Sequence, residues 1–116
     1  MTKWFLLSAV ASSALTLLVV KAIPPASSLK FENAKVQVTE VTYAPGEPRP
    51  RGVRQHDQVI VFLDDCRYER VDPQTGQKTI RERKSGDVIW HDKGEDAPQL
   101  TNQGKKPYRT IVVELK

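Results

Sequence analysis

Three guanidinium groups, Arg49, Arg51 and Arg54, stand in a loop that runs from Gly46 to Arg54 and is punctuated by Pro48 and Pro50. Proline fixes the local backbone at low entropic cost. Arginine offers a planar fork that takes a carboxylate or phosphate through two parallel hydrogen bonds. The loop therefore reads as a contact surface for anions, and with Trp90 these arginines are the candidate ligand or partner contacts. Other chemistries find little to work with. Asp64-Asp65 and Glu95-Asp96 are adjacent carboxylates in turn-like surroundings, where such pairs serve solvation and local hydrogen bonding. Cys66 is the single cysteine, which rules out an intrachain disulfide, and with no histidine beside it in sequence it reads as a buried, inert thiol. Ser85 precedes a glycine but lacks the flanks of a nucleophile elbow. A transition-metal site needs several imidazole or carboxylate donors converging on one point, and the chain has only His56 and His91. No catalytic residue, metal or cofactor is expected.

The elements that would carry these residues are mostly strands. Residues 35–42 alternate in part, with Val36, Val38, Glu40 and Thr42 on one face and a bulge expected near Glu40. Residues 58–63 form an apolar run expected of a strand buried on both faces. Residues 66–71 and 77–83 alternate around Asp72-Pro73-Gln74-Thr75-Gly76, a hairpin turn by composition. Residues 87–90 and 108–115 complete the set, separated by a loop rich in Gly, Asp, Asn and Pro. Short strands with turn signals at this spacing predict a sandwich or barrel over 35–116.

Ahead of it, residues 1–23 carry no charge between Trp4 and Val20, with Lys3 and Lys21 at the flanks and Pro24-Pro25 as a stop. That length suits one transmembrane helix, a signal anchor with its amino end in the cytoplasm and the following domain on the exported, periplasmic side. A cleaved signal peptide ending at Val20-Lys21-Ala22 is the competing reading. Ser8, Ala9, Ser12 and Ser13 place small side chains at the spacing that lets a second helix pack closely. Residues 24–34 read as a semi-rigid linker. The chain of 116 residues carries a net charge of +4, but acidic and basic residues are interspersed, which gives nucleic acid binding no support.

The order Pro45-Gly46, the apolar 59–63 run, the hairpin, Ser85-Gly86-Asp87-Val88-Ile89-Trp90, Thr101-Asn102 and the closing 111–115 strand resembles the cupins, small jelly-roll barrels. The resemblance implies an all-β, double-stranded β-helix. Metal-using cupins share the motifs G(x)5HxH(x)3-4E(x)6G and G(x)5PxG(x)2H(x)3N, whose three His and one Glu face into the barrel and ligate a divalent cation. Begun at Gly46, the first motif puts Gly52 and Arg54 at the two His positions and Gln58 at the Glu position. Begun at Gly86, the second puts Asp92 at the Pro position, matches Gly94, puts Ala97 at the His position and meets Asn102 one residue late. None of the four ligand positions carries a ligand. An Arg54 that replaces an inward-facing ligand needs an anion inside the barrel mouth. Glu69 or Glu82 is the expected protein partner, and an anionic ligand, a lipid headgroup or a partner's acidic loop are the alternatives.

Three functions fit these features. The leading expectation is a non-catalytic accessory or scaffold subunit. Its helix would pack on integral membrane proteins of a larger complex, respiratory or photosynthetic, in contact with membrane lipids. The second is an exported module binding a small anionic or sugar-like molecule near Arg54 and Trp90, and the third a cupin enzyme with relocated metal ligands.

Overall fold

Sheet pairing begins where the linker was expected. In the computed structural model, which describes residues 25–116, strand β1 (Ala26–Glu32) runs antiparallel to β2 (Val36–Tyr43). The Oδ1 of Asn33 closes their turn by accepting from the Lys35 and Val36 amides at 2.8 and 2.9 Å. Residues 26–32 are thus a strand rather than a spacer, because pairing with β2 overrides a polar local composition. The register shift lies in β1, between Leu29 and Phe31, and not near Glu40. The transmembrane helix expected over 1–23, with its packing residues Ser8, Ala9, Ser12 and Ser13, falls outside the described residues.

Two sheets face each other. One has five strands in the order β1-β2-β11-β5-β8, with β5 at Asp57–Phe62, β8 at Val88–His91 and β11 at Tyr108–Leu115. The other has four in the order β3-β10-β6-β7, built from β3 (Pro48–Arg49), β6 (Cys66–Val71), β7 (Lys78–Arg83) and β10 (Gln99–Asn102). A small ladder of β4 (Gly52–Val53) with β9 (Asp96–Ala97) joins their ends. The predicted hairpin forms as β6 and β7. Asp72 Oδ1 accepts from the Gln74 and Thr75 amides at 2.8 and 2.9 Å, and Gly76 takes a φ of 74° that only glycine adopts freely.

Strand β5 is buried on one face rather than two. Gln58, Ile60 and Phe62 point inward and are buried, whereas Asp57, Val59 and Val61 are half-buried on the outer face. The outer side has only neighbouring strands to cover it, so the period of two survives beneath an apolar-looking run. The inward set meets Tyr68 and Tyr108 to make a small, largely aromatic core, against which Tyr43, Ile89, Leu100 and Val112 pack. The Tyr43 and Tyr108 rings stack at 4.7 Å, and Phe62, Tyr68 and Tyr108 lie 6.2 to 6.4 Å apart. So few large side chains leave the space between the sheets partly open.

Candidate functional site: an arginine-lined cavity

Between the inner faces lies a cavity of about 270 Å³, floored by Ile60, Phe62, Tyr68 and Tyr108. Its walls carry Arg49, Arg54, Arg70, Arg81 and Arg83 against two carboxylates, Glu95 and Asp96. Strand alternation delivers the arginines: on β6 the inward positions are Tyr68 and Arg70, and on β7 they are Arg81 and Arg83, opposite Tyr68 and Cys66. Arg83 sets its guanidinium 5.7 Å from the Phe62 ring centre and donates from Nε to the Tyr68 hydroxyl at 3.3 Å. Arg49, at the end of β3, donates from Nη2 to the Pro98 carbonyl.

Arg54 is the most deeply placed of the group, only 8% exposed. Its backbone N–H donates to the Glu95 carbonyl at 3.0 Å and its carbonyl accepts from Gly94 at 2.9 Å, which pins the residue between β4 and the 92–95 turn. Among the described residues its side chain makes one hydrogen bond, from Nη1 to Gln58 Oε1 at 2.8 Å. Gln58 in turn donates to Glu114 Oε1 at 3.1 Å, which fixes the amide with its oxygen toward the arginine. The expected carboxylate partners, Glu69 and Glu82, are not in contact with Arg54: strand alternation turns both outward on β6 and β7. Burial lowers the Arg54 pKa, and Arg49 lowers it further, while Glu95 opposes the shift. A guanidinium stays charged through such a shift, so a buried cation is held by a neutral amide.

The hydrogen-bond inventory of the cavity is correspondingly incomplete. Arg54 Nε, Arg49 Nε and Thr110 Oγ1 are buried without a partner, and all three residues line the cavity. The two carboxylates are engaged with other groups: Glu95 with His91 Nδ1 at 2.9 Å and Asp96 with Arg51 at 3.3 Å. The His91 contact is the main reason the Glu95 carboxyl titrates below its ordinary value. Among the described residues no ion pair involves any of the five cavity arginines.

Of the sequence-predicted contacts, Arg49 and Arg54 reach the cavity. Arg51 does not; it faces solvent and bonds Asp96 and the Pro73 carbonyl. Trp90 lies on the outer face of β8, 49% exposed, donating to Asp92 Oδ1 at 2.8 Å, because Ile89 and His91 take the inward positions. Sequence reasoning does not single out Arg70, Arg81 and Arg83, although Arg81 and Arg83 stand two apart on one strand and Arg70 lies on the strand paired with it; which face turns inward depends on how the barrel closes.

The remaining candidates serve structure. Asp64 accepts from Arg109 Nε and Nη2 at 3.0 and 3.2 Å, a bond set that holds its carboxyl below the ordinary range. Asp65 receives the Ser85 amide at 2.8 Å. Burial pushes the Cys66 thiol up to about 11, away from nucleophilic use. The residues do not fit a metal. Among the described residues no three His, Cys, Asp or Glu side chains converge, and the guanidinium of Arg54 would repel a divalent cation at that place.

This architecture is the cupin fold. A cupin domain from Bordetella pertussis Tohama I superposes with a TM-score of 0.72 at 17% identity, covering 82% of this chain and 96% of that one. The polyketide cyclase RemF from Streptomyces resistomycificus matches with a TM-score of 0.62 at 18% identity over 77% of this chain and 63% of its own. The DMSP lyase DddQ from Ruegeria pomeroyi DSS-3 matches at 0.59 and 16% identity, over 80% of this chain and 47% of its own. No protein-family model matches the chain, and no curated protein matches it in sequence. At these identities the likeness extends to the fold, which enzymes and binding proteins share alike.

Proposed function

We propose that the barrel is a non-catalytic binding module for a small organic anion, with Arg54 as its deep anchor. The observation that carries this is an arginine only 8% exposed whose one side-chain hydrogen-bond partner among the described residues is an uncharged amide, with Nε unpaired beside the cavity. With Nη1 taken by Gln58, the free edge of the fork is Nε with Nη2. Arg109 uses that same edge to grip Asp64, which supplies within this molecule the geometry a ligand carboxylate would adopt at Arg54. The cavity is slightly smaller than the roughly 300–1,000 Å³ of drug-sized sites, which suits a metabolite-sized acid with an apolar body. In this reading a fixed guanidinium supplies the positive charge that a metal ion supplies in metal-using barrels of this fold.

The membrane tether, the exported location and the accessory-subunit role depend on residues 1–23, outside the described residues. The binding reading has a site of its own and neither needs nor opposes them.

The test is calorimetric titration of the full chain with aromatic and medium-chain carboxylates. Arg54→Met is expected to weaken binding at least about tenfold, since a hydrogen bond to a charged group contributes about 1.5–3 kcal/mol. A metal chelator should leave the wild-type affinity unchanged. Absence of binding to every acid, or equal affinity in the variant, would reject the proposal.

A further inference from the structure

The cavity has a second cationic end. Gln58, which holds Arg54, and Phe62, over which Arg83 lies, are four residues apart on the inner face of β5, about 13 Å along an extended strand. Between them the floor is apolar, with Ile60 of the same strand and Ile89, Leu100 and Tyr108 from its surroundings. The deep end has Arg54 and Arg49, each with an unpaired buried Nε. The other end has Arg83, half-buried, with Arg81 exposed two positions before it on the edge strand β7. No described carboxylate pairs with either, and Glu69 and Glu82 of the same hairpin face away. One ligand acid group satisfies only the deep end and leaves the mouth arginines facing an apolar body.

From this spacing we infer that the ligand is a dianion, with two carboxylate groups at opposite ends of an apolar chain or ring system. This rests on the anion-binding reading and adds to it the charge, length and orientation of the ligand. One carboxylate enters first and lies along the Nε–Nη2 edge of Arg54. The apolar body crosses Ile60 and the aromatic floor. The second carboxylate stays at the mouth between Arg81 and Arg83, where partial hydration makes its contribution smaller than that of the deep contact.

The experiment compares octanedioate with octanoate, and butanedioate with butanoate, by calorimetric titration of the full chain at low ionic strength. Octanedioate is expected to bind about 5- to 10-fold more tightly than octanoate, a gain in the range of a partly exposed ion pair to two arginines. Butanedioate, too short to reach both ends, should gain nothing over butanoate. In Arg81→Met/Arg83→Met, whatever the change in octanoate affinity itself, the ratio of octanedioate to octanoate affinity should fall to about that of butanedioate to butanoate. Equal affinity for octanedioate and octanoate overturns the dianion and leaves the anion-binding module standing, whereas failure of all four acids to bind overturns both. An advantage that survives the double variant overturns the assignment of the second end. The comparison among wild-type titrations decides the matter even where the double variant does not fold.

Discussion

A buried arginine is ordinarily met by a carboxylate, and the consequence of meeting an amide instead can be followed at Gln58. Its oxygen accepts from Arg54 at 2.8 Å while its nitrogen donates to Glu114 at 3.1 Å, so one neutral side chain stands between a buried cation and the Glu114 carboxylate. Gln58→Glu removes that insulation. The new carboxylate would be stabilised in its charged form by Arg54 and opposed by Glu114, so the two acids would titrate as a coupled pair. At neutral pH the pair neutralises Arg54, and affinity for an organic anion should fall about tenfold or more. Acidification adds a proton to the pair and should restore part of the loss. Titrating an alkyl sulfonate, charged throughout, at about pH 7.5 and about pH 5 separates this from protonation of the ligand. A loss that is the same at both values counts against the electrostatic role of Gln58. Arg54→Met should lower the unfolding free energy by about 1–3 kcal/mol, the cost of leaving Gln58 Oε1 buried without its donor, and by less than the roughly 3–5 kcal/mol of breaking a buried ion pair, because no stranded carboxylate is left behind.

At the scale of elements, the cavity wall depends on side chains that replace sheet pairing where strands end. Asn102, 4% exposed at the end of β10, donates from Nδ2 to the Tyr43 carbonyl at 3.0 Å and the Lys106 carbonyl at 2.8 Å, and accepts from the Gly104 amide at 2.8 Å. It thereby joins β10 and the turn before β11 to the end of β2, where Tyr43 stacks on Tyr108. Asn102→Ala leaves two carbonyls and one amide without partners, and urea unfolding should show a loss of about 2–4 kcal/mol. A loss below about 1 kcal/mol would mean that water replaces all three bonds. The strands that the sequence made legible are those with internal alternation and a turn signal, such as 66–71 and 77–83 around Asp72 and Gly76. Those it hid lack one or the other. Strand β1 begins with Ala26, Ser27 and Ser28 and exists through its pairing with β2, while β10 has four mostly polar residues whose pairing to β3 and β6 is wholly long-range. The site divided the same way. Arg54 was found because a motif position pointed inward, whereas Arg81 and Arg83 needed the barrel closed before either face of β7 had a meaning.

Taken as a whole molecule, the barrel keeps its two kinds of surface apart by the thickness of one sheet. The inner face of the five-stranded sheet gives Tyr43, Ile60, Phe62, Ile89, Tyr108 and Thr110 to the cavity. The outer face places Trp90 and Val88 beside Val59 and Val61, with Phe31 and Leu115 exposed nearer its other edge. Because period-two alternation assigns each residue to one side only, Trp90 and the arginines cannot cooperate on a ligand, although sequence reading grouped them. Trp90→Lys adds a charge to the outer face, where its long side chain has room to reach water. The sheet between it and the cavity keeps it outside the reach of a bound acid, and at physiological ionic strength an exposed charge at that distance is largely screened. Affinity for octanoate should therefore stay within about twofold of the wild type, while Arg54→Met in the same assay loses about tenfold or more. A comparable loss in Trp90→Lys would place the ligand on the outer face and remove the cavity from the mechanism of binding.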